Sequence, residues 1–130
     1  PLRSLADHSV LVNTGPEAIA GSTRLKAGTA QKMVLNAFST AVMVRLGRTY
    51  SNLMIGMSGR NAKLRNRQIT ILTQASGAGE EACRAELTRC DGDLRLALLC
   101  LLSGLTPGEA RPWLAAARGS VRAALTAAGS

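Results

Sequence analysis

Histidine and aromatic residues are scarce in this sequence of 130 residues. It contains one histidine, His8, and three aromatic residues, Phe38, Tyr50 and Trp113. One histidine excludes a metal site built from several histidines within the chain, unless a partner supplies the other ligands. We therefore expect no histidine-based metal site.

Long apolar runs are missing as well. The densest stretch, LRLALLCLLSGL, is interrupted by Arg95 and broken at Gly104. It is shorter than the roughly 18 apolar residues of a membrane-spanning helix. Residues 1–8 show no signal-peptide pattern, and Pro1 is not preceded by methionine. We therefore expect a soluble cytoplasmic chain that has no membrane partner and is a C-terminal fragment of a longer protein.

Acidic residues are half as numerous as basic ones, which gives a net charge of +8. Such an excess invites a nucleic-acid interpretation, but the cations are spread along the whole chain. Three aromatic residues leave little for base stacking, and no zinc-finger spacing or base-reading motif occurs. We expect no nucleic-acid partner, and a basic interaction module remains the weaker alternative.

The spacing of the cysteines in the sequence does not predict a metal site. Cys83, Cys90 and Cys100 show no CxxC spacing, although Cys83 and Cys90 would share one face of a helix. We expect small buried hydrophobic residues in a reducing compartment rather than a metal or disulfide role. No residue is therefore assigned to a metal.

The first part of the chain has the pattern of a strand followed by a long helix. Residues 9–13, SVLVN, are apolar and end at a turn signal, which favours a buried strand. From Ser22 to about Leu46 there is no proline, and Gly47 ends the segment. This pattern is typical of the last unit of an α/β sheet whose earlier units lie outside the chain.

The second part has the pattern of a bundle of short helices, so the chain should be mainly α-helical. TPGE predicts a helix start, with Thr106 as cap and Glu109 reaching back. Gly77 and Gly104 should end two of the other helices. The remaining helices are predicted over residues 61–75, 79–90, 93–103 and 120–128.

The start of the long helix carries an unusual charge. Ser22 and Thr23 suit an N-cap, yet Arg24 and Lys26 follow where the helix dipole favours acids. Free amides, two hydroxyls and two cations together suit an anion such as phosphate. The alternative is an ordinary cap followed by solvated cations that pair with Glu17.

The same stretch resembles the signature of the N-acetylmuramic acid 6-phosphate etherases and the related glucokinase regulatory proteins. The resemblance continues through MVLNAFSTAVMVRLGRTYSNLM and NAKLRNR into DGDLRLALLCLLSGL, and so covers nearly the whole chain. The signature is complete here as Gly15-Pro16-Glu17, Gly21-Ser22-Thr23-Arg24-Leu25-Lys26, Ala27-Gly28-Thr29 and Lys32. The short helical tail is more similar to the etherase than to the regulatory protein.

The resemblance implies a sugar isomerase (SIS) phosphosugar-binding domain over residues 1–47. It also implies a connecting segment and helix over 48–78 and a ubiquitin-associated-like helical bundle over 79–130. The activity implied is removal of D-lactate from N-acetylmuramic acid 6-phosphate in cell-wall recycling, without metal or organic cofactor. The parent is expected to be a homodimer, and a non-catalytic phosphosugar-sensing regulator is the alternative.

The site expected from the resemblance is a substrate-binding one. The acid and base glutamates of the family belong to an earlier part of the sheet domain. No catalytic residue is therefore expected in this chain, which alone should be inactive. The residues expected to shape the phosphosugar site are Gly21, Ser22, Thr23, Arg24 and Lys26. Without sheet partners, the 22–46 helix should mediate self-association, and residues 9–13 should be extended or disordered.

Overall fold

The computed structural model describes residues 2–129, which form six α-helices, one short 3-10 helix and one two-stranded hairpin. The mainly α-helical class expected from the sequence is confirmed. The 3-10 helix spans Leu2–Leu5 and precedes the other elements. In chain order these are α1 (Lys26–Arg45), β1 (Thr49–Tyr50), β2 (Leu53–Met54), α2 (Ala62–Ser76), α3 (Glu80–Arg89), α4 (Leu94–Ser103), α5 (Pro107–Ala116) and α6 (Val121–Ala128).

The chain divides into two compact units, one up to Ala41 and one from Val42 onward. The first holds residues 6–25, which lack regular helix or strand, and most of α1. None of the residues of α1 is buried. Its apolar side chains include Phe38, of which 69% is exposed.

Residues 9–13 do not form the buried strand that their apolar run predicts. They lie in no strand and are exposed, and Leu11 has 81% of its surface accessible. A strand needs a neighbour to pair its amides and carbonyls. The two strands that the described residues do form pair only with each other. The expectation that residues 9–13 lie outside a sheet when their partner strands are missing is confirmed.

The long helix begins at Lys26 rather than at Ser22, so its predicted start is wrong. Gly21 has φ +80°, a left-handed conformation that a right-handed helix cannot include. Tight turns follow it, in which the Leu25 amide donates to the Ser22 carbonyl at 3.2 Å. The regular helix therefore begins four residues later in the chain than predicted.

The second unit is built around α4. Its sequence, LRLALLCLLS, is apolar on almost every side, and six of its residues are buried: Leu94, Leu96, Ala97, Leu98, Leu99 and Cys100. Helices α2, α3, α5 and α6 all pack against it. Burying one such leucine contributes about 1.5–3 kcal/mol, so α4 dominates the stability of this unit.

The caps of the short helices follow the predicted pattern. Thr106 and Glu109 form a reciprocal capping box, and Gly77 and Gly104 end α2 and α4 in the left-handed conformation. Asp93 begins α4 by accepting from the backbone amides of the first turn at 3.0 and 3.2 Å. The helices predicted over the second half are thus confirmed to within one or two residues.

A hairpin that the sequence does not predict connects α1 to the bundle. Thr49 pairs with Met54 and Tyr50 pairs with Leu53. The Arg122 guanidinium lies 5.8 Å from the centre of the Tyr50 ring, which joins the hairpin to α6 by a cation–π contact. Strands of two residues are too short to give a periodic signal.

A buried glutamine connects the loop after the hairpin to the turn between α3 and α4. Gln68 is 1% exposed, and its Nε2 donates to the carbonyls of Met57 at 3.4 Å and Gly92 at 3.1 Å. Both bonds satisfy the buried Gln68 amide group, which would otherwise have no partner.

Across residues 2–129, no helix combines the length and apolar character needed to cross a membrane.

Candidate functional site

The residues of the expected phosphosugar site lie in the turns before α1 and in its first turn. Glu17 organises this region. Its two carboxylate oxygens accept hydrogen bonds from the backbone amides of Lys26 and Ala27, each at 2.9 Å. These amides have no partner within the helix, so the carboxylate caps α1 from nine and ten residues earlier in the chain.

The electrostatics of Glu17 follow from this capping. Hydrogen bonds from the Ala27 amide and, next, from the Lys26 amide hold the pKa of Glu17 below its usual range. Desolvation opposes this effect, and the positive charge of Lys26 lowers the pKa a little further. The carboxylate is the negative charge that the helix dipole favours at this end. The acid missing from the local sequence is therefore supplied by the loop.

Ser22 and Thr23 do not cap the helix as their residue types predict, because Glu17 has taken that role. Within residues 2–129, no hydrogen bond reaches either hydroxyl, and the Arg24 guanidinium has no hydrogen-bond or ion-pair partner. Lys26 is exposed beside them. Glu17 accepts from the backbone amide of Lys26, and within residues 2–129 no ion pair joins its carboxylate to a cation.

Arg24 and Lys26 line one shallow groove on the first unit. The other lining residues are Leu25, Thr29, Ala30 and Met33. The cations at this groove can hold anionic oxygens, and free hydroxyls nearby can donate to them. Both carboxylate oxygens of Glu17 are engaged by amides. The groove is mostly apolar, and its two cations are the groups that could hold an anion; Glu17 offers no free carboxylate for acid–base work.

The capping role of Glu17 is the functional feature that reasoning from the sequence missed. The signal was present, since the first turn of the helix contains no acid. When the first turn of a helix contains no acid, an acid in the preceding loop is a candidate for its cap. Glu17 is the acidic residue of the signature in that loop.

A second polar cluster lies inside the second unit, between α3 and α4. The sulfurs of Cys90 and Cys100 and a carboxylate oxygen of Glu86 lie within 4.8 Å of one another. The Cys90 thiol donates to Glu86 Oε1 at 3.7 Å, and Arg89 donates to Oε2 at 2.7 Å. Glu86 and Cys90 are one helical turn apart, which is the signal that could have indicated this cluster.

Burial controls the ionisation of these thiols. Desolvation, followed by the neighbouring Cys100 and Glu86, raises the pKa of Cys90 to about 12. Burial also raises the pKa of Cys100. Cys83 is separate, because its sulfur contacts Thr73 Oγ1 and the Ala78 carbonyl, each at 3.7 Å. The expected burial of all three cysteines is confirmed.

Known proteins are similar in sequence to most of this chain. A protein of Thermobifida fusca named N-acetylmuramic acid 6-phosphate etherase is 66% identical over 97 residues, 75% of this chain. Proteins of the same name are 55% identical over 124 residues in Rubrobacter xylanophilus and 48% identical over 125 residues in Deinococcus radiodurans, covering 95% and 96% of the chain. This stretch of sequence is therefore similar to one part of the N-acetylmuramic acid 6-phosphate etherases.

The matches cover 32%, 40% and 41% of these three etherases, so the chain spans at most about two fifths of their length. No protein-family model matches the chain.

Proposed function

We propose that this chain is part of a cytoplasmic carbon–oxygen lyase that cleaves the D-lactyl ether of N-acetylmuramic acid 6-phosphate. The products are N-acetylglucosamine 6-phosphate and D-lactate, and the role is amino sugar catabolism during peptidoglycan recycling. The observation that supports it most is the 55% identity over 124 residues to a protein named for this activity. The names of the relatives favour the etherase over a phosphosugar-sensing regulator.

The architecture proposed for the whole enzyme extends beyond the described helices. Residues 1–47 would belong to a sugar isomerase domain, residues 48–78 would connect it, and residues 79–130 would form a ubiquitin-associated-like bundle. The exposed apolar residues 9–13 and the unburied helix α1 support the first assignment, since both have surfaces suited to a sheet domain. The packing of α4 against α3, α5 and α6 supports the last.

The substrate site is proposed at Gly21, Ser22, Thr23, Arg24 and Lys26. The left-handed turn at Gly21 brings the chain around before the two hydroxyls and two cations. The hydroxyls and the Arg24 guanidinium have no partner among the described residues, so they are available to the oxygens of a phosphate. Glu17 would keep the turns attached to the helix while the side chains bind the ligand.

The acid and base of the reaction are proposed to come from outside these residues. Ether elimination requires a carboxylate that removes the proton next to the sugar carbonyl and an acid near the leaving oxygen. Glu17 cannot do this while its two oxygens accept from Lys26 and Ala27. The 130-residue chain alone should therefore bind phosphosugar weakly and release no lactate.

The decisive experiment compares a longer protein that carries this sequence with the 130-residue chain alone. A coupled assay for D-lactate, with N-acetylmuramic acid 6-phosphate as substrate, should show turnover by the longer protein only. Lactate release by the purified chain would contradict the assignment of the acid and base to other residues. Absence of turnover by the longer protein would contradict the etherase function.

The site assignment is tested in the same longer protein by a double variant, Ser22→Ala with Arg24→Ala. Loss of two charge-assisted hydrogen bonds should lower kcat/KM by about 100-fold or more, because each is worth about 1.5–3 kcal/mol. The matched control is Ser39→Ala with Arg45→Ala, which removes the same groups from exposed positions of α1. An equal effect of the two double variants would contradict the anion-binding role.

A further inference from the structure

We propose that Glu86, Cys90 and Cys100 form a binding site for a thiophilic divalent cation of the Zn²⁺ class, between α3 and α4. The three ligand atoms, two sulfurs and one carboxylate oxygen, already lie within 4.8 Å of one another. Around a tetrahedral Zn²⁺, sulfur and oxygen ligands are separated by roughly 3.3–3.8 Å. The rearrangement required is therefore about 1 Å or a little more.

Two packed helices hold these ligands. Glu86 lies on α3 and Cys90 is the C-cap residue one turn later, so the two side chains lie on the same side of the helix, as in helical pairs of metal ligands. Cys100 comes from α4, which packs against α3. Side chains on rigid elements keep ligand geometry better than side chains on loops.

The cluster is buried, yet it has a route to solvent. Cys90 is fully buried and Cys100 is 4% exposed, while 8% of Glu86 reaches the surface. Arg89 covers Glu86 from the outside, and its side chain is 57% exposed. A cation would reach the cluster from the side of Glu86 and Arg89, its members nearest to solvent. A water on the same side can fill the fourth coordination position, as in sites with three protein ligands.

Arg89 also balances the charge of the loaded site. Two thiolates and one carboxylate carry three negative charges, and the cation with the Arg89 guanidinium carries three positive ones. Binding releases the two thiol protons to solvent, so the buried cluster stays neutral before and after loading. A neutral cluster avoids the large cost of burying an unpaired charge. Arg89 holds Oε2 of Glu86 at 2.7 Å and leaves Oε1 directed at Cys90. Such an outer partner orients a metal ligand.

The test titrates the fully reduced 130-residue chain with Cd²⁺ alone and, separately, with Co²⁺ alone. Ultraviolet thiolate-to-metal absorption should rise until one cation is bound per chain, with an intensity that corresponds to two thiolates. Co²⁺ should give the visible bands of a tetrahedral complex. Competition with a chelator then measures the affinity for Zn²⁺.

Variants assign the ligands. Cys90→Ser and Cys100→Ser should each lose at least half of the thiolate band and bind Zn²⁺ about 100-fold more weakly or worse. Arg89→Gln should weaken binding by about 10- to 100-fold, as expected of an outer partner. The matched control is Cys83→Ser, which removes another buried thiol and should keep both the band and the affinity.

Two results would overturn the proposal. One is the absence of a thiolate band from the unmodified chain with one equivalent of Cd²⁺, a result that depends on no variant. The other is a loss in Cys83→Ser as large as that in Cys90→Ser, with far-ultraviolet circular dichroism confirming that both variants remain helical.

Discussion

Replacing Gly47 by alanine would place a methyl group against backbone atoms that have no room for it. Gly47 has φ +66°, and a Cβ there would lie 2.8 Å from the Ser120 nitrogen and 2.9 Å from the Ser120 Cα. Real Cβ contacts are essentially never this short, so the chain at residues 119–120 would have to move. Gly104 has nearly the same backbone conformation, φ +74°, but nothing lies within 4 Å of its Cβ position.

The two glycines therefore separate conformational strain from overpacking. An alanine in the left-handed region costs about 1–2 kcal/mol at either position. Overpacking against a fixed neighbour adds about 1–3 kcal/mol, and only at Gly47. The change in unfolded-chain entropy is the same for both substitutions and cancels in the comparison. The free energy of unfolding should thus be lower in Gly47→Ala than in Gly104→Ala by about 1–3 kcal/mol.

Urea unfolding followed by far-ultraviolet circular dichroism measures this difference. The midpoint should fall further in Gly47→Ala, while the slope m stays unchanged in both variants. For a folded unit of 60–100 residues the additional decrease in Tm is about 4–8 °C per kcal/mol. Equal losses of stability in the two variants would refute the close approach of Gly47 to the 119–120 backbone.

Two further predictions concern the first unit. Because amide hydrogen bonds lower the pKa of Glu17, its capping contribution should be complete above the ordinary pKa of 4.5 and be lost as pH falls through the lower folded value. Nuclear magnetic resonance should show the Lys26 and Ala27 amides titrating together, and Glu17→Gln should abolish this; pH-independent amides would contradict the cap. The exposed apolar side chains of α1, such as Leu35 and Phe38, should cause self-association, as expected if the parent is the homodimer that the resemblance implies. Light scattering should give a mass above one chain at high micromolar concentration, and Phe38→Ser should reduce it; a clean monomer would refute this.

The helices of the second unit were predictable because their start and stop signals are local. Thr106 and Glu109 satisfy each other within one turn, and Gly77 and Gly104 end helices by their own conformational freedom. The apolar run of α4 needs no partner to be recognised as buried. Where one turn of chain contains the whole interaction, the sequence is sufficient to predict it.

The start of α1 was not predictable by the same rules. Local preference favours Ser22 as the cap, but the group that satisfies the first amides is Glu17, from outside the helix. The strand predicted for residues 9–13 fails for a related reason, since pairing depends on a neighbour that the described residues do not provide. Both errors arise where the outcome depends on a distant segment.

Of the two candidate sites, one could be predicted from the sequence and the other could not. The exposure of Arg24 and Lys26 beside free hydroxyls follows from their place in the signature. The spacing of Glu86 and Cys90 indicates that these two side chains are neighbours, but the approach of Cys100 depends on how α4 packs against α3 and has no sign in the spacing.

The position of Glu17 changes what an anion can use at the start of α1. A phosphate bound directly at a helix terminus accepts from the first free amides. Here two of those amides already donate to a carboxylate, whose negative charge would repel a phosphate at the same place. The remaining donors are the Ser22 and Thr23 hydroxyls and the side chains of Arg24 and Lys26. The two positive charges outnumber the single negative charge of Glu17, so the local net charge is +1. The anionic ligand proposed for this groove would therefore be held by side chains, while the helix amides fix the loop that presents them.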